Sequence, residues 1–424
     1  MWFRALFLLL VVASFGFTAP DQAVKAISER SEDELLEGIE KGRKKLEKEW
    51  VQIIRDVVGT RRVKVGRRKY KEVPIVGIVG REMAIAILDS QGEIRVARGI
   101  KRDRGLEVLT PGFILAVRRD NGINSDISCI SPPGGKVVAV KYPVTNEGQR
   151  FGPGPEVIEA IYTPFSPEIK NSKVIRLGLE TQAEFIEEAY ERLEKRKVYS
   201  RAFPGRRVVD VIPRDVLTIL LLNEHIDPGL FRSSGLAKPL VEQVLTVIAT
   251  NREQAYAYSI SSAGARGLVQ MIPSTYSLML RNYPAAGLLS SFSRGMADPV
   301  NAVMAQVLLC DADWQSIRTR VDIPAERIGP YLAAAYNGGV GRVLNVLEHD
   351  EMEWMDEPES GRRPTMTVTR RVPVRVRTRR GRTTTKYVVR SYTQPIFRSE
   401  TSKYVQQYHW IEDYLNASGL RWKD

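Results

Sequence analysis

Two cysteines and three histidines are all that 424 residues provide of the side chains most used for metal ligation and redox chemistry. Cys129 and Cys310 are too few for a disulfide framework, which excludes the small secreted scaffolds that replace a core with bridges. One bridge or two free thiols both stay open. His225, His349 and His409 are scattered, and no His/Cys/Asp cluster has metal-ligand spacing, so no metal site is expected. Beyond the first residues there is no long apolar run, so no further membrane span is expected. Acidic residues fall short of basic ones, 50 against 63, leaving a net charge of +13. Such an excess points to a polyanionic partner: nucleic acid, an anionic membrane surface or an anionic cell-wall polymer. A hydrophobic content of 43% and a charged content of 27% permit a buried core and exclude global disorder. The length predicts two or three domains.

The N-terminus has the layout of a secretory signal peptide, residues 1–23. Arg4 precedes an apolar run from Ala5 to Phe17, and small residues follow up to Ala19. Cleavage is expected after Ala19 or Ala23, with no cysteine nearby for lipid attachment. The run is shorter than the roughly 20 residues of a comfortable span. An uncleaved N-terminal anchor is the alternative. Either way the chain is expected to be exported, to the periplasm or cell envelope.

The expected fold is α+β and multidomain. Residues 24–60 read as a charged helix, with an apolar stripe of Leu35, Ile39, Leu46, Ile53 and Ile54 over residues 22–58. Residues 61–150 read as a small β-rich accessory domain, with strand runs at Val63–Val65, Val73–Val79, Met83–Leu88, Ile94–Val96 and Phe113–Val117. Residues 151–205 open on Phe151-Gly152-Pro153-Gly154-Pro155 and contain a charged helix, Thr181–Lys197; this is expected to be a connector. Residues 206–424 are expected to form a mainly α domain, with helices at Asp215–His225 (behind an Asp cap), Pro239–Arg252, Asn301–Trp314 and Ile328–Tyr336. Residues 351–397 interrupt it. There Met366–Arg379 and Thr383–Thr393 alternate β-branched and basic residues around Arg380-Gly381-Arg382, which predicts a hairpin.

Four short blocks carry the chemistry. They are Ser261-Ser262-Ala263-Gly264-Ala265-Arg266-Gly267-Leu268-Val269-Gln270 with Pro273-Ser274-Thr275, Asp298-Pro299, Ala334-Ala335-Tyr336-Asn337-Gly338-Gly339, and Glu400-Thr401-Ser402-Lys403-Tyr404-Val405. In this order they resemble the soluble lytic transglycosylase family; Val269 departs by standing where the family has Met. The resemblance covers residues 206–424 and implies a lysozyme-like domain with a cleft. It also implies that peptidoglycan strands are cut, without water, between N-acetylmuramic acid and N-acetylglucosamine, giving 1,6-anhydro ends. Ser261, Gly264, Gly267, Leu268, Gln270, Tyr336, Asn337 and Tyr404 then belong to the substrate site. The residue types fit: glycines let backbone approach a sugar, Gln270 offers an amide, and Tyr336 a ring face and hydroxyl. Gly264 and Gly267 as plain turn residues, and Tyr336 as a core aromatic, are the other readings.

The family's one catalytic acid is a glutamate about twelve residues before the Gly-Ala pair, and counting back from Gly264 reaches Arg252. Glu253 is one residue off. Glu224 closes the apolar helix Val216–Leu222, the right setting for a raised pKa, but lies forty residues before Gly264 and requires an insertion. We take Glu224 as the acid, with Glu253 as the alternative; the single-acid chemistry that the resemblance implies needs no cofactor. Two further functions stay open. One is a hydrolytic muramidase, which needs a second carboxylate such as Asp227. The other is a catalytically degenerate cell-wall-binding protein. The basic hairpin, with Arg370, Arg371, Arg375, Arg377, Arg379, Arg380, Arg382, Lys386 and Arg390, is expected at the cleft edge. It reads as a grip for anionic envelope polymers or another cell-wall protein, or as a solvated edge guarded by charge. Nucleic acid is not an expected partner of an exported chain.

Overall fold

A computed structural model describes residues 20–103, 105–145, 157–349, 351–358, 362–377 and 382–420, with side chains from residue 33 onward. The signal-peptide reading up to residue 19, the Pro/Gly stretch at 151–155 and the turn at 380–381 lie outside the described residues. No helix among those described is long and apolar enough to cross a membrane.

The protein is α+β, with antiparallel sheets and helices. Helix α1 (Pro20–Leu46) leads into strands β1 (Ile53–Lys64), β2 (Tyr70–Leu88), β3 (Ile94–Lys101), β4 (Leu106–Val108), β5 (Ile114–Arg119), β6 (Asp126–Ser131), β7 (Lys136–Thr145) and β8 (Val157–Tyr162). Helices α2 (Ser172–Lys195), α3 (Arg214–His225), α4 (Ala237–Asn251), α5 (Pro273–Asn282), α6 (Phe292–Ala297), α7 (Pro299–Arg318), α8 (Gly329–Gly338), α9 (Val340–Glu348) and α10 (Met352–Asp356) follow. A hairpin of β9 (Thr365–Arg377) and β10 (Thr383–Pro395) precedes α11 (Ser399–Ser418).

Strand β2 organises the main sheet, whose order is β4-β3-β2-β7-β8. Its last eight residues pair with β3 on one side and, from Ala84, with β7 on the other. Its first half pairs with β1 alone, from Lys64↔Tyr70 to Ile54↔Gly80, so β1 and β2 run out of the sheet as a two-stranded arm. The runs Val73–Val79 and Met83–Leu88 are therefore one strand; no turn residue pair separates them. Successive side chains of β2 point to opposite faces. Ala84, Ala86 and Leu88 face Leu35, Ile39 and Leu46 of α1. Met83, Ile85 and Ile87 join a second cluster that continues through Ile186, Leu217, Leu245 and Leu308 of the helices.

Three expectations need correction. The first helix stops at Leu46 instead of reaching residue 58, and Ile53 and Ile54 open β1 opposite Arg81 and Gly80. The chain turns there because Lys141 Nζ donates to the carbonyls of Glu47 (3.2 Å) and Glu49 (2.6 Å), groups a continuing helix would have used. The expected connector helix starts earlier, at Ser172 behind an Asn171 cap, and belongs to the core. It buries Phe185, Ile186, Tyr190 and Leu193, and crosses α4 so closely that a Cβ on Gly178 would lie 2.1 Å from the Leu245 carbonyl oxygen. Its charges occupy only the outer face of an amphipathic helix. Finally, Asp215 does not cap α3. That helix starts at Arg214, and Asp215 Oδ1 accepts from the N–H of Val216.

The helices expected around Pro239–Arg252, Asn301–Trp314 and Ile328–Tyr336 appear as α4, α7 and α8. The basic hairpin appears too, with register from Thr365↔Pro395 to Arg377↔Thr383. Cys129 and Cys310 are free thiols, half-buried and buried respectively.

Candidate active site

Helix α3 is apolar along its length, so residues 216–222 are buried and its C-terminal end is fixed by packing. Asn223 and Glu224 end it against α11. Asn223 Nδ2 donates to the backbone carbonyl of Tyr404 (3.0 Å), and the Tyr404 hydroxyl donates to Glu224 Oε1 (2.6 Å). Burial pushes the Glu224 carboxyl up to about 7; the Tyr404 hydrogen bond opposes this and the charge of Glu400 reinforces it. Glu224 keeps one edge open to a cleft of about 560 Å³.

His225 follows. Its ring stacks on Tyr256 at 3.5 Å and 9°, and Nε2 lies 2.6 Å from the Leu268 carbonyl oxygen. A carbonyl only accepts, so Nε2 carries the hydrogen. Burial lowers the imidazole to about 4, so the ring is neutral at pH 7. The Tyr336 hydroxyl donates to the next carbonyl, Val269. Two neighbouring carbonyls of the Gly267–Gln270 block are thus tied down, one by the residue beside Glu224 and one by α8.

The predicted substrate residues divide. Ser261 and Gln270 line the cleft with Glu224. Gln270 is left-handed (φ 45°), and its Nε2 donates to the Gly267 carbonyl at 2.8 Å. Leu268, Tyr336 and Tyr404 stand behind the cleft: Leu268 is buried, and both hydroxyls are committed to protein acceptors. They position the site; they do not offer a face to a sugar. Gly267 has φ 72°, and a Cβ there would meet the Met296 carbonyl oxygen at 2.1 Å, so packing against α6 accounts for this glycine. Gly264 is the tip of a turn that closes on Ser261 (Gly264 N–H to Ser261 O, 2.9 Å). Asn337 is exposed and accepts from Thr401 Oγ1 at 2.8 Å. Glu253 lies on a short 3-10 turn after α4, with its side chain 69% exposed beside Arg252, and does not line the cleft.

The opposite wall comes from the β-rich half, where the sequence showed no chemistry. Arg81 of β2, Arg119 and Asp126 of the β5–β6 hairpin, Asn121 and Asn124 of its loop, and Tyr142 of β7 all line the cleft. Three polar contacts cross it. Asn124 Nδ2 donates to Ser259 Oγ (2.9 Å), Arg119 Nη2 faces Asp227 Oδ2 (3.6 Å), and Gln243 Nε2 reaches both oxygens of Asp126 (3.2 Å each). Burial raises Asp126 to about 6, against the pull of Arg119 and Arg118. The dipeptide Asn121-Gly122 between two apolar runs could have announced this hairpin. Nothing in the sequence announces which way it faces.

Among the described residues no group of three His, Cys, Asp or Glu side chains could hold a metal ion. No family model matches the chain, and neither curated proteins nor solved structures give a match.

Proposed function

We propose that the protein is a peptidoglycan lytic transglycosylase, with residues 206–424 as a lysozyme-like catalytic domain and Glu224 as its single acid and base. One observation carries this reading: Glu224 borders the cleft with a proton affinity near 7, and one of its oxygens is already engaged by Tyr404. Oε1 is held, so Oε2 is the oxygen that gives and takes the proton. As a neutral acid it protonates the glycosidic oxygen, and the C1–O bond breaks with the electron pair leaving on that oxygen. The C6 hydroxyl of the muramoyl unit then bonds to C1 and returns its proton to the Glu224 carboxylate. The acid is regenerated and no water is consumed.

The charge distribution supports a polyanionic partner. Residues 365–395 carry nine basic and no acidic side chains, and residues 53–80 carry eight basic against two acidic, so the rest of the +13 chain sums to −2. Both segments are hairpins. We take the β9–β10 hairpin as the grip on anionic envelope polymer. Export through the N-terminal apolar segment belongs to the same reading.

One observation favours a muramidase instead: Asp126 and Asp227 share the cleft with Glu224, and hydrolysis uses a second carboxylate. The test is digestion of purified sacculi by wild type, Glu224→Gln and Asp126→Asn, with mass spectrometry of the products. Anhydro-muramoyl ends that vanish only with Glu224→Gln support the transglycosylase. Reducing muramoyl ends that need both residues transfer the assignment to the hydrolase. Binding to sacculi with no cleavage by wild type sinks both enzymes in favour of a wall-binding protein.

A further inference from the structure

The cleft contains two guanidinium groups in different circumstances. Arg119 faces Asp227 and lies near Asp126. Arg81 projects from β2 where the β1–β2 arm leaves the sheet, on the same face as Met83, Ile85 and Ile87. It forms no ion pair among the described residues. Its register neighbour Lys101 is compensated by Asp120 at 2.5 Å, so that acid is taken. The Arg81 Cζ lies 5.8 Å from the centroid of the Tyr142 ring, and its Nε is buried with no acceptor. A half-buried cation with an orphaned N–H, opening on a cleft, lacks an anion. The loop beside it adds Asn121 and Asn124, and the Oδ1 of Asn124 is likewise without a partner.

We propose that Arg81 forms an anion-recognising subsite of the Glu224 cleft, taking a carboxylate carried on an amino-sugar chain. The proposal rests on the saccharide reading of that cleft. It also accounts for the β-rich half, since one wall carries the acid and the other selects glycans that bear acidic substituents over neutral ones. A guanidinium suits this because its fork matches a carboxylate in two parallel hydrogen bonds. The carboxylate has two sources on such a chain, the lactyl ether of the sugar itself or the peptide attached to it.

The experiment measures binding by calorimetry on the full chain carrying Glu224→Gln, which keeps substrate intact. Three ligands are used: a neutral N-acetylglucosamine tetramer, an alternating tetramer with free lactyl carboxylates, and the same tetramer bearing dipeptides. Adding Arg81→Gln is expected to weaken both acidic ligands about tenfold or more and leave the neutral one unchanged. Arg81→Lys is expected to recover part of the loss, which separates charge from misfolding. Loss for the free-lactyl ligand alone assigns the lactyl carboxylate, which the attached peptide converts to an amide; loss for the dipeptide ligand alone assigns the peptide carboxylate, and loss for both assigns a subsite that takes either. Equal weakening of neutral and acidic ligands, or no weakening of any, overturns the subsite. Arg81-dependent binding by a wild-type protein that cleaves no sacculi would sink the enzyme reading and leave the subsite standing.

Discussion

Tyr404 holds Glu224 twice over: its hydroxyl donates to Oε1 at 2.6 Å, and its backbone carbonyl receives Nδ2 of the preceding Asn223 at 3.0 Å. The orientation of the carboxyl and the placement of the helix end that carries it depend on one residue of α11. Glu400 lies one helical turn earlier on α11, and its charge acts on the same carboxyl with the opposite sign. The block Glu400–Tyr404 is therefore a tuning element.

Tyr404→Phe and Glu400→Gln should move the pH profile in opposite directions. On the proposed mechanism cleavage needs protonated Glu224, so activity should fall as pH rises through about 7. The Tyr404 hydroxyl favours the charged carboxylate, so its removal raises the proton affinity and shifts the alkaline limb to higher pH. The Glu400 charge disfavours the carboxylate, so its removal shifts the limb to lower pH. Rates on sacculi from pH 5 to 9 check this; parallel shifts would contradict the assignment.

Glu224→Gln should lower cleavage by about 10²–10⁴-fold, the usual worth of a general acid, and Glu253→Gln should leave it unchanged. The same variant has a stability signature. The folded-state proton affinity of Glu224 is raised from 4.5 to about 7, so the native state holds a proton that the unfolded chain has released. Wild-type stability is then lost as pH rises from about 4.5 through about 7, and Glu224→Gln escapes that loss. Its unfolding free energy should gain on wild type across this window and stay ahead above it, by about 3 kcal/mol, which denaturant unfolding from pH 4 to 9 measures.

The sequence carried the hairpin and several helices because their patterns are local. The alternation of β-branched and basic residues over 366–379 and 383–393 matches β9 and β10 to within two residues, and the apolar run before Glu224 marked α3. The first helix overran because Ile53 and Ile54 happen to continue its stripe, while the carbonyl-capping Lys141 is far away in sequence. Half the cleft was illegible for the same reason. Arg81, Arg119 and Asp126 come from separate strands, and only sheet order and the β5–β6 pairing bring them opposite Glu224. The motif glycine Gly267 was legible as a residue but not as a cause: its reason is the Met296 carbonyl.

Gly178→Ala tests whether α2 is core or connector. The added methyl would lie 2.1 Å from the Leu245 carbonyl oxygen, and backbone cannot yield as a side-chain tip can. The α2–α4 crossing must open, at a cost of about 2–3 kcal/mol. Thermal unfolding should show this loss in the single melt of the whole chain, since the cluster containing Phe185 and Leu193 also contains Ile85 of the sheet and Leu217 of α3. A melt in which only one of two transitions moves would mean that sheet and helices unfold independently.

The hairpin prediction follows from its register. Arg371, Arg375 and Arg377 alternate along β9 and share one face with Tyr387 and Val389 of β10, whose side chains are 69% and 64% exposed. Arg370 stands directly opposite Arg390 on the other face, a like-charge pair that destabilises the ribbon. No acid within the segment offsets these charges. The triple change of Arg371, Arg375 and Arg377 to Ala should leave folding within about 0.5 kcal/mol of wild type, since these groups are exposed. It should weaken binding to anionic wall polymer and flatten the dependence of that binding on salt, because fewer counterions are released. Cosedimentation with sacculi across a salt series, with single-stranded nucleic acid as competitor, measures both. Unchanged binding at every salt concentration would reduce the hairpin to a solvated edge; preferential loss to the nucleic acid would overturn the choice of polymer.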